Sequence, residues 1–115
     1  MRPASVLLVA FFSLSGCEVA CENELTERIA SPTGEKKAIV FNRNCGATTG
    51  FNTQVSIIKA NDSLPNDGGN VLILDGTIPL KIKWTGENQV SIGGFGSARP
   101  YKQVQSLNGV TVSYE

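Results

Sequence analysis

The fold of this chain follows from residues 41–58, FNRNCGATTGFNTQVSII. Apolar, β-branched and aromatic residues flank a break bounded by glycines, a pattern typical of two strands joined by a loop. The first strand is predicted to end at Arg43 and the second to begin at Asn52. The loop between them carries two glycines, two threonines and Cys45. This composition predicts a recognition surface, whose candidate binding residues are Arg43, Gly46, Thr48, Thr49, Gly50 and Gln54.

The N-terminus has the layout of a secretory signal. Arg2 precedes the apolar run Val6–Leu14, which is shorter than the about 20 apolar residues that a spanning helix needs. The sequence Leu14-Ser15-Gly16-Cys17 resembles the lipobox of bacterial lipoproteins, in which the cysteine becomes the lipidated first residue. The resemblance implies three segments: a signal peptide (1–16), a lipidated anchor at Cys17 with its tether (17–22), and one domain (23–115).

The predicted destination is the bacterial cell envelope, with the domain facing the periplasm. Lipoproteins of this kind carry several acyl chains on the cysteine, whereas one chain alone would hold a protein only marginally. Glu18 follows the cysteine, and the inner-membrane retention signal of enterobacterial lipoproteins is an aspartate at that position. The outer membrane is therefore favoured for a Gram-negative host. The alternative is a chain that is exported or membrane-anchored without a lipid.

The mature chain would have 99 residues, because 16 of the 115 residues belong to the predicted signal. This length is typical of a single domain. Loss of Arg2 leaves nine basic residues (10 − 1) against ten acidic ones, a net charge of −1. The basic residues are scattered, whereas nucleic-acid binding is typically marked by a basic stripe. No nucleic-acid partner is predicted.

Three cysteines become two when Cys17 carries a lipid, and an even count outside the cytosol predicts a disulfide between Cys21 and Cys45. Such a bridge closes a loop of about 25 residues, worth roughly 3.5 kcal/mol in the chain-entropy model. Two alternatives stay open: Cys21 and Cys45 as free thiols, or a Cys17–Cys21 bridge if lipidation fails.

The segments before and after residues 41–58 are also predicted to form strands. Residues 22–30 fit a helix or a strand, but the turn Ser31-Pro32-Thr33-Gly34 and the apolar run Lys37–Phe41 favour a β-hairpin. The turn resembles those opening the blades of WD40-like and TolB-like propellers. Four blades of about 40 residues would be needed, so a closed propeller is excluded. The segment Asn61–Asn70 is dense in turn-forming residues and lacks the order of an EF-hand, which predicts a plain loop rather than a calcium site.

The C-terminal half continues the pattern. Val71–Leu74 predicts either a central strand covered on both faces or an edge strand beneath a loop. Trp84 ends an alternating strand that points it into the core. Tyr101–Ser106 is a further strand, and Asn108-Gly109 is a strong hairpin signal before the last strand, Val110–Tyr114. The sequence predicts an all-β domain: an antiparallel meander of about seven or eight short strands, as a blade-like sheet or a small sandwich or barrel.

Catalytic groups are few. Histidine is absent, which removes serine–histidine and cysteine–histidine chemistry and the usual zinc ligand. No metal or cofactor is predicted. Asp62, Asp67 and Asp75 are the nearest set of carboxylates for a hydrolase of the glycosidase type. Because aspartate is common in turns for backbone reasons, a structural role is favoured over this alternative.

Three segments together resemble a family of small bacterial exported proteins and lipoproteins. They are Ser31-Pro32-x-Gly34, then the Cys45–Ser56 core CGATTGFxTQVS, then Leu64-Pro65-x-x-Gly68-Gly69-Asn70-Val71. The resemblance covers most of the mature chain and implies no particular activity. Members of the family often have an aspartate where Asn44 stands, which puts a charged role at that position in doubt.

The predicted function is a membrane-anchored, non-enzymatic module that binds an envelope protein or a cell-wall ligand such as peptidoglycan. Its loop hydroxyls would meet the ligand, unless they only satisfy the loop backbone. A rival is an inhibitor of a secreted hydrolase such as lysozyme, because the segment Gly96–Tyr101 is similar in part to the serine-glycine-alanine-x-tyrosine signature of such inhibitors.

Overall fold

The computed structural model describes residues 20–115, so the predicted signal peptide (1–16) and the lipidation site Cys17 lie outside the described residues. The described chain consists of β-strands and loops, which confirms the all-β prediction. No helix between residues 20 and 115 is long and apolar enough to cross a membrane. The nine strands are β1 (Glu22–Ala30), β2 (Lys36–Asn44), β3 (Asn52–Lys59), β4 (Leu72–Asp75), β5 (Lys81–Gly86), β6 (Gln89–Gly93), β7 (Pro100–Gln103), β8 (Ser106–Leu107) and β9 (Val110–Tyr114).

The strands form two sheets that share one core. The first sheet has the order β1-β2-β3-β4-β7 and the second has the order β5-β6-β9-β8. β1 to β4 form the antiparallel meander that the sequence predicts. The rest departs from a simple meander, because β7 joins the first sheet and β6 pairs with β9 in parallel. The count exceeds seven or eight because the predicted strand Tyr101–Ser106 divides into β7 and β8, where the chain passes from one sheet to the other.

The core lies between the sheets, and its buried side chains are alternate residues of β2, β3, β4, β6 and β9 together with Val71. Val55 and Ile57, predicted to face inward, are 0% and 6% exposed. Burial of each such side chain contributes roughly 1.5–3 kcal/mol. The buried members of the core are Ala38, Val40, Val55, Ile57, Val71, Leu72, Leu74, Val90, Ile92, Val110 and Val112.

The outer face of the first sheet is also covered, by residues 61–70, which we call the covering loop. Phe41 is 1% exposed although it alternates with the inward-facing Val40. The Asn70 side chain accepts a hydrogen bond from Ile57 N (2.9 Å) and donates one to Ile57 O (3.0 Å), as a neighbouring strand would. A Cβ on Gly69 would lie 2.8 Å from two backbone carbonyl oxygens, so glycine is required there. The covering loop is therefore packed tightly against β3.

Two side chains of the β5–β6 hairpin connect the second sheet to β1 and to the β1–β2 turn. The Trp84 indole donates to Ile29 O (3.0 Å), which occupies a carbonyl on the edge strand β1. Glu87 accepts hydrogen bonds from Thr33 N and the Ser31 hydroxyl, both at 2.9 Å, and lies 3.4 Å from the Lys36 ammonium. The Thr33 backbone N–H is the largest of the causes that lower the pKa of Glu87 from 4.5 to about 2. This carboxylate fastens the second sheet to the β1–β2 turn.

Candidate functional site

At one end of the first sheet β1 and β3 begin and β2 and β4 end, because these neighbouring strands run antiparallel. A disulfide joins Cys21 to Cys45 across this end, with Cα atoms 4.0 Å apart, which confirms the predicted pairing. It extends the β1–β2 pairing beyond Glu22 and Asn44. We call this the disulfide end; the turns at residues 31–35 and 87–88 lie at the other.

The loop that follows Cys45 is held by its own polar groups. Gly46 N donates to the Asn44 side chain (3.0 Å), and Thr49 N donates to Gly46 O (3.1 Å). Cys45 N donates to the Thr49 hydroxyl (3.1 Å). Gly46 also has a φ of 119°, which a side chain rarely adopts. Thr49 and Gly46 thus take the structural role that the sequence left as the alternative to ligand binding.

The exposed part of the predicted recognition surface is smaller than the sequence suggests. Thr48 and Gly50 are exposed at the tip and the end of the loop. Phe51, which the sequence analysis did not single out, follows Gly50 and is 77% exposed. An apolar residue placed directly after the last loop glycine was the available signal for it.

Arg43 is engaged within the domain. Its guanidinium donates to the Asn23 side chain (2.8 Å), to the Asn66 side chain (2.9 Å) and to Asn66 O (3.3 Å). Asn23 in turn donates to Pro65 O and Asp67 O, at 3.0 and 2.9 Å. Arg43 therefore joins β2 to β1 and to the covering loop, and its guanidinium donates to groups of the domain itself.

Gln54 is 6% exposed, beneath the covering loop. Its side-chain oxygen accepts from Gly69 N at 2.7 Å, and its amide donates to the Asn52 side chain at 3.0 Å. Because both polar ends are used and little of the surface remains open, Gln54 holds the covering loop in place rather than facing a ligand.

A cleft of about 250 Å³ opens beside Phe51 at the disulfide end. This volume is somewhat below the roughly 300–1,000 Å³ of typical small-molecule sites. Glu24 supplies the charged group, and the apolar walls include Phe51 and Ile78. These residues come from separate strands and loops, so their proximity is not visible in the sequence. The lining residues are Glu24, Thr26, Val40, Phe41, Asn42, Phe51, Asn52, Thr53, Thr77 and Ile78.

The hydroxyl groups of two lining threonines already make hydrogen bonds within the domain. Thr26 donates to Val40 O at 3.1 Å, at the point where a β-bulge interrupts the β1–β2 register. Thr53 donates to Gly76 O (2.7 Å) and accepts from Ile78 N (2.8 Å), which fixes the wall of the cleft. Glu24 is the charged residue of the lining and Phe51 its most exposed apolar residue.

The three aspartates do not come together as a set. Asp62 N bonds Lys59 O at the end of β3, whereas Asp75 pairs with Asn52 at its start. Seven residue steps of about 3.3 Å separate these strand ends, roughly 20 Å against the about 5–9.5 Å between glycosidase carboxylates. Residues 20–115 also hold no group of three His, Cys, Asp or Glu that could bind a metal ion.

Comparison of the chain with protein-family models, with curated proteins and with solved structures found no match. The family resemblance carried by the Cys45–Ser56 core accordingly stays a prediction.

Proposed function

We propose that this protein is an envelope lipoprotein, anchored through Cys17, whose domain is a non-enzymatic binding module that faces the periplasm and binds through its disulfide end. The observation that carries the proposal is the convergence at one end of an exposed loop tip, an exposed aromatic ring and a cleft. A disulfide fastens that end to the start of β1, four residues after Cys17.

The groups presented there suit a partner with hydrogen-bond donors. The Glu24 carboxylate accepts hydrogen bonds, and charge-assisted bonds are the stronger ones. Phe51 offers a flat apolar surface beside it, and Thr48 offers a hydroxyl at the loop tip. Amides and hydroxyls of an envelope protein segment or of a cell-wall ligand match this chemistry.

Binding is favoured over catalysis because the chain contains no histidine to act as a base. The aspartates at the two ends of β3 are also too far apart to work as a carboxylate pair. A rigid end that presents a few polar groups and one ring is sufficient for recognition.

The binding surface is tested by Thr48→Val and by Glu24→Gln, each made in the full-length protein. Thr85→Val is the matched control, because Thr85 is an exposed strand threonine near the opposite end. Affinity capture from envelope extracts should lose partners with the first two variants and keep them with the control. A partner list unchanged by all three would refute binding at the disulfide end.

The anchor is tested separately by Cys17→Ser. This variant should leave the membrane fraction or retain its signal peptide, since the acylated sulfur is lost. Intact-mass measurement of the wild-type protein provides the decisive check. An unmodified mature N-terminus would refute the lipid anchor.

A further inference from the structure

We propose that the disulfide end rests on the membrane itself, with the side chains of Phe51 and Tyr101 inserted into the lipid headgroup layer. The inference depends on the lipid anchor of the proposed function and adds a second partner at the same end, the lipid surface. A ligand in the cleft would then be met at the level of the membrane.

Two large aromatic side chains are mostly exposed to solvent. Phe51 is 77% exposed and Tyr101 is 62% exposed, the highest values among the large apolar residues of the described chain. Burial of large apolar side chains is favoured by about 25 cal/mol per Å² removed from water. Tyrosine and tryptophan are enriched at membrane interfaces, where the ring and its polar tip face different surroundings, as Tyr101 would. Phe51 would contribute apolar area alone.

The two aromatic residues lie near the same end of the first sheet. Gly76 N donates to Phe51 O, and Asp75 N donates to Arg99 O, both at 2.9 Å. Tyr101 follows two residues after Arg99. β4 lies between β3, which Phe51 precedes, and β7, which contains Tyr101, so the two backbones are about 10 Å apart across the sheet. Tyr101 is level with Ile73 and Leu74, about two residues further from this end than Gly76. One flat surface can therefore contact both.

The lipid anchor on Cys17 would hold the disulfide end close to the membrane. Four residue steps separate Cys17 from Cys21, and a fully extended chain spans at most about 14 Å over that length. The disulfide then places Cys45, the start of the loop that leads to Phe51, 4.0 Å from Cys21 between Cα atoms. The headgroup layer on each side of a bilayer is itself about 5–7 Å thick. The tether is too short to keep this end far from the lipid.

The charged residues at this end predict which lipid headgroups allow the domain to dock on the membrane. The Arg99 guanidinium lies 5.6 Å from the centre of the Tyr101 ring. Glu22 and Asp75 stand at the ends of β1 and β4, on the same side of the domain. Mixed charge of this kind differs from the polybasic clusters that select anionic lipid. Docking should proceed on neutral phosphatidylcholine and depend little on salt.

The experiment uses the full-length protein reconstituted in vesicles of phosphatidylcholine brominated near the headgroup end of its acyl chains, which quenches tryptophan at the level of the headgroups. Phe51→Trp and Tyr101→Trp each add a reporter to the single native tryptophan, Trp84, whose indole is held by Ile29 O. Thr111→Trp is the matched control, because Thr111 is an exposed strand residue close to the opposite end. Intact mass establishes whether Cys17 carries its lipid.

We expect the added fluorescence at positions 51 and 101 to be quenched and shifted to shorter wavelength. Emission from the wild-type protein and from Thr111→Trp should be unaffected. A lipidated protein whose reporters at 51 and 101 behave like the control would overturn membrane docking and leave the anchor intact. A protein recovered without lipid on Cys17 would overturn both the anchor and the inference that depends on it.

Discussion

Gln54→Met removes a buried acceptor while leaving the length of the side chain almost unchanged. The Gly69 N–H, which now donates to Gln54 at 2.7 Å, would lose its partner beneath the covering loop. A buried donor left unsatisfied costs about 1–3 kcal/mol. The substitution also removes the hydrogen bond that the Gln54 amide donates to the Asn52 side chain (3.0 Å). Asn52 keeps its bonds to the Arg43 backbone.

A destabilisation of about 2 kcal/mol is large for a small domain, whose total stability is typically about 5–15 kcal/mol. In a domain of this size each kcal/mol lowers Tm by roughly 4–8 °C, so we expect a fall of about 10 °C or more. The assay is thermal unfolding of the purified protein, with hydrogen exchange resolved by peptide. Exchange should rise most in the covering loop and in β3.

Gln103→Met is the control, because Gln103 is exposed on β7 and its loss should leave Tm within about a degree. Equal Tm values for the two variants would refute the structural role given to Gln54. The same result would return Gln54 to the set of ligand-binding candidates.

Three further outcomes follow from the structure. Reduction of the Cys21–Cys45 bridge should lower the free energy of unfolding by about 3.5 kcal/mol; urea curves that coincide with and without reductant would contradict this. Glu87→Gln should destabilise the protein at neutral pH. Because the pKa of Glu87 is lowered to about 2, its contribution is present above about 4.5 and lost as pH falls through 2, so variant and wild type should converge there in acid unfolding. Burial raises the pKa of Tyr114 to about 12, so the folded state favours its neutral form and loses stability as pH rises from about 10 through 12. Tyr114→Phe should remove that dependence while losing the bond to Val104 O, about 1 kcal/mol at neutral pH; an unchanged alkaline profile would refute it.

The amino-acid sequence by itself determined the local elements. Alternation of polar and apolar residues records which side chains share a face, and it correctly placed Val55 and Ile57 inside. The Asn108-Gly109 pair predicted a two-residue hairpin, and both residues have the positive φ, 48° and 85°, that such a turn requires. The even count of cysteines that remains after the predicted lipidation of Cys17 favoured the Cys21–Cys45 bridge, which the structure contains.

Only the tertiary structure decided which polar residues face solvent. In isolation, alternation places Gln54 on the outer face of β3, where a ligand could reach it. The covering loop buries that face through contacts 13–15 residues apart along the chain. Likewise Glu24 and Phe51 meet at one cleft because β1 and β3 flank β2 in the same sheet. A two-residue period carries no information about what packs over a strand, so these long-range contacts could not be read from it.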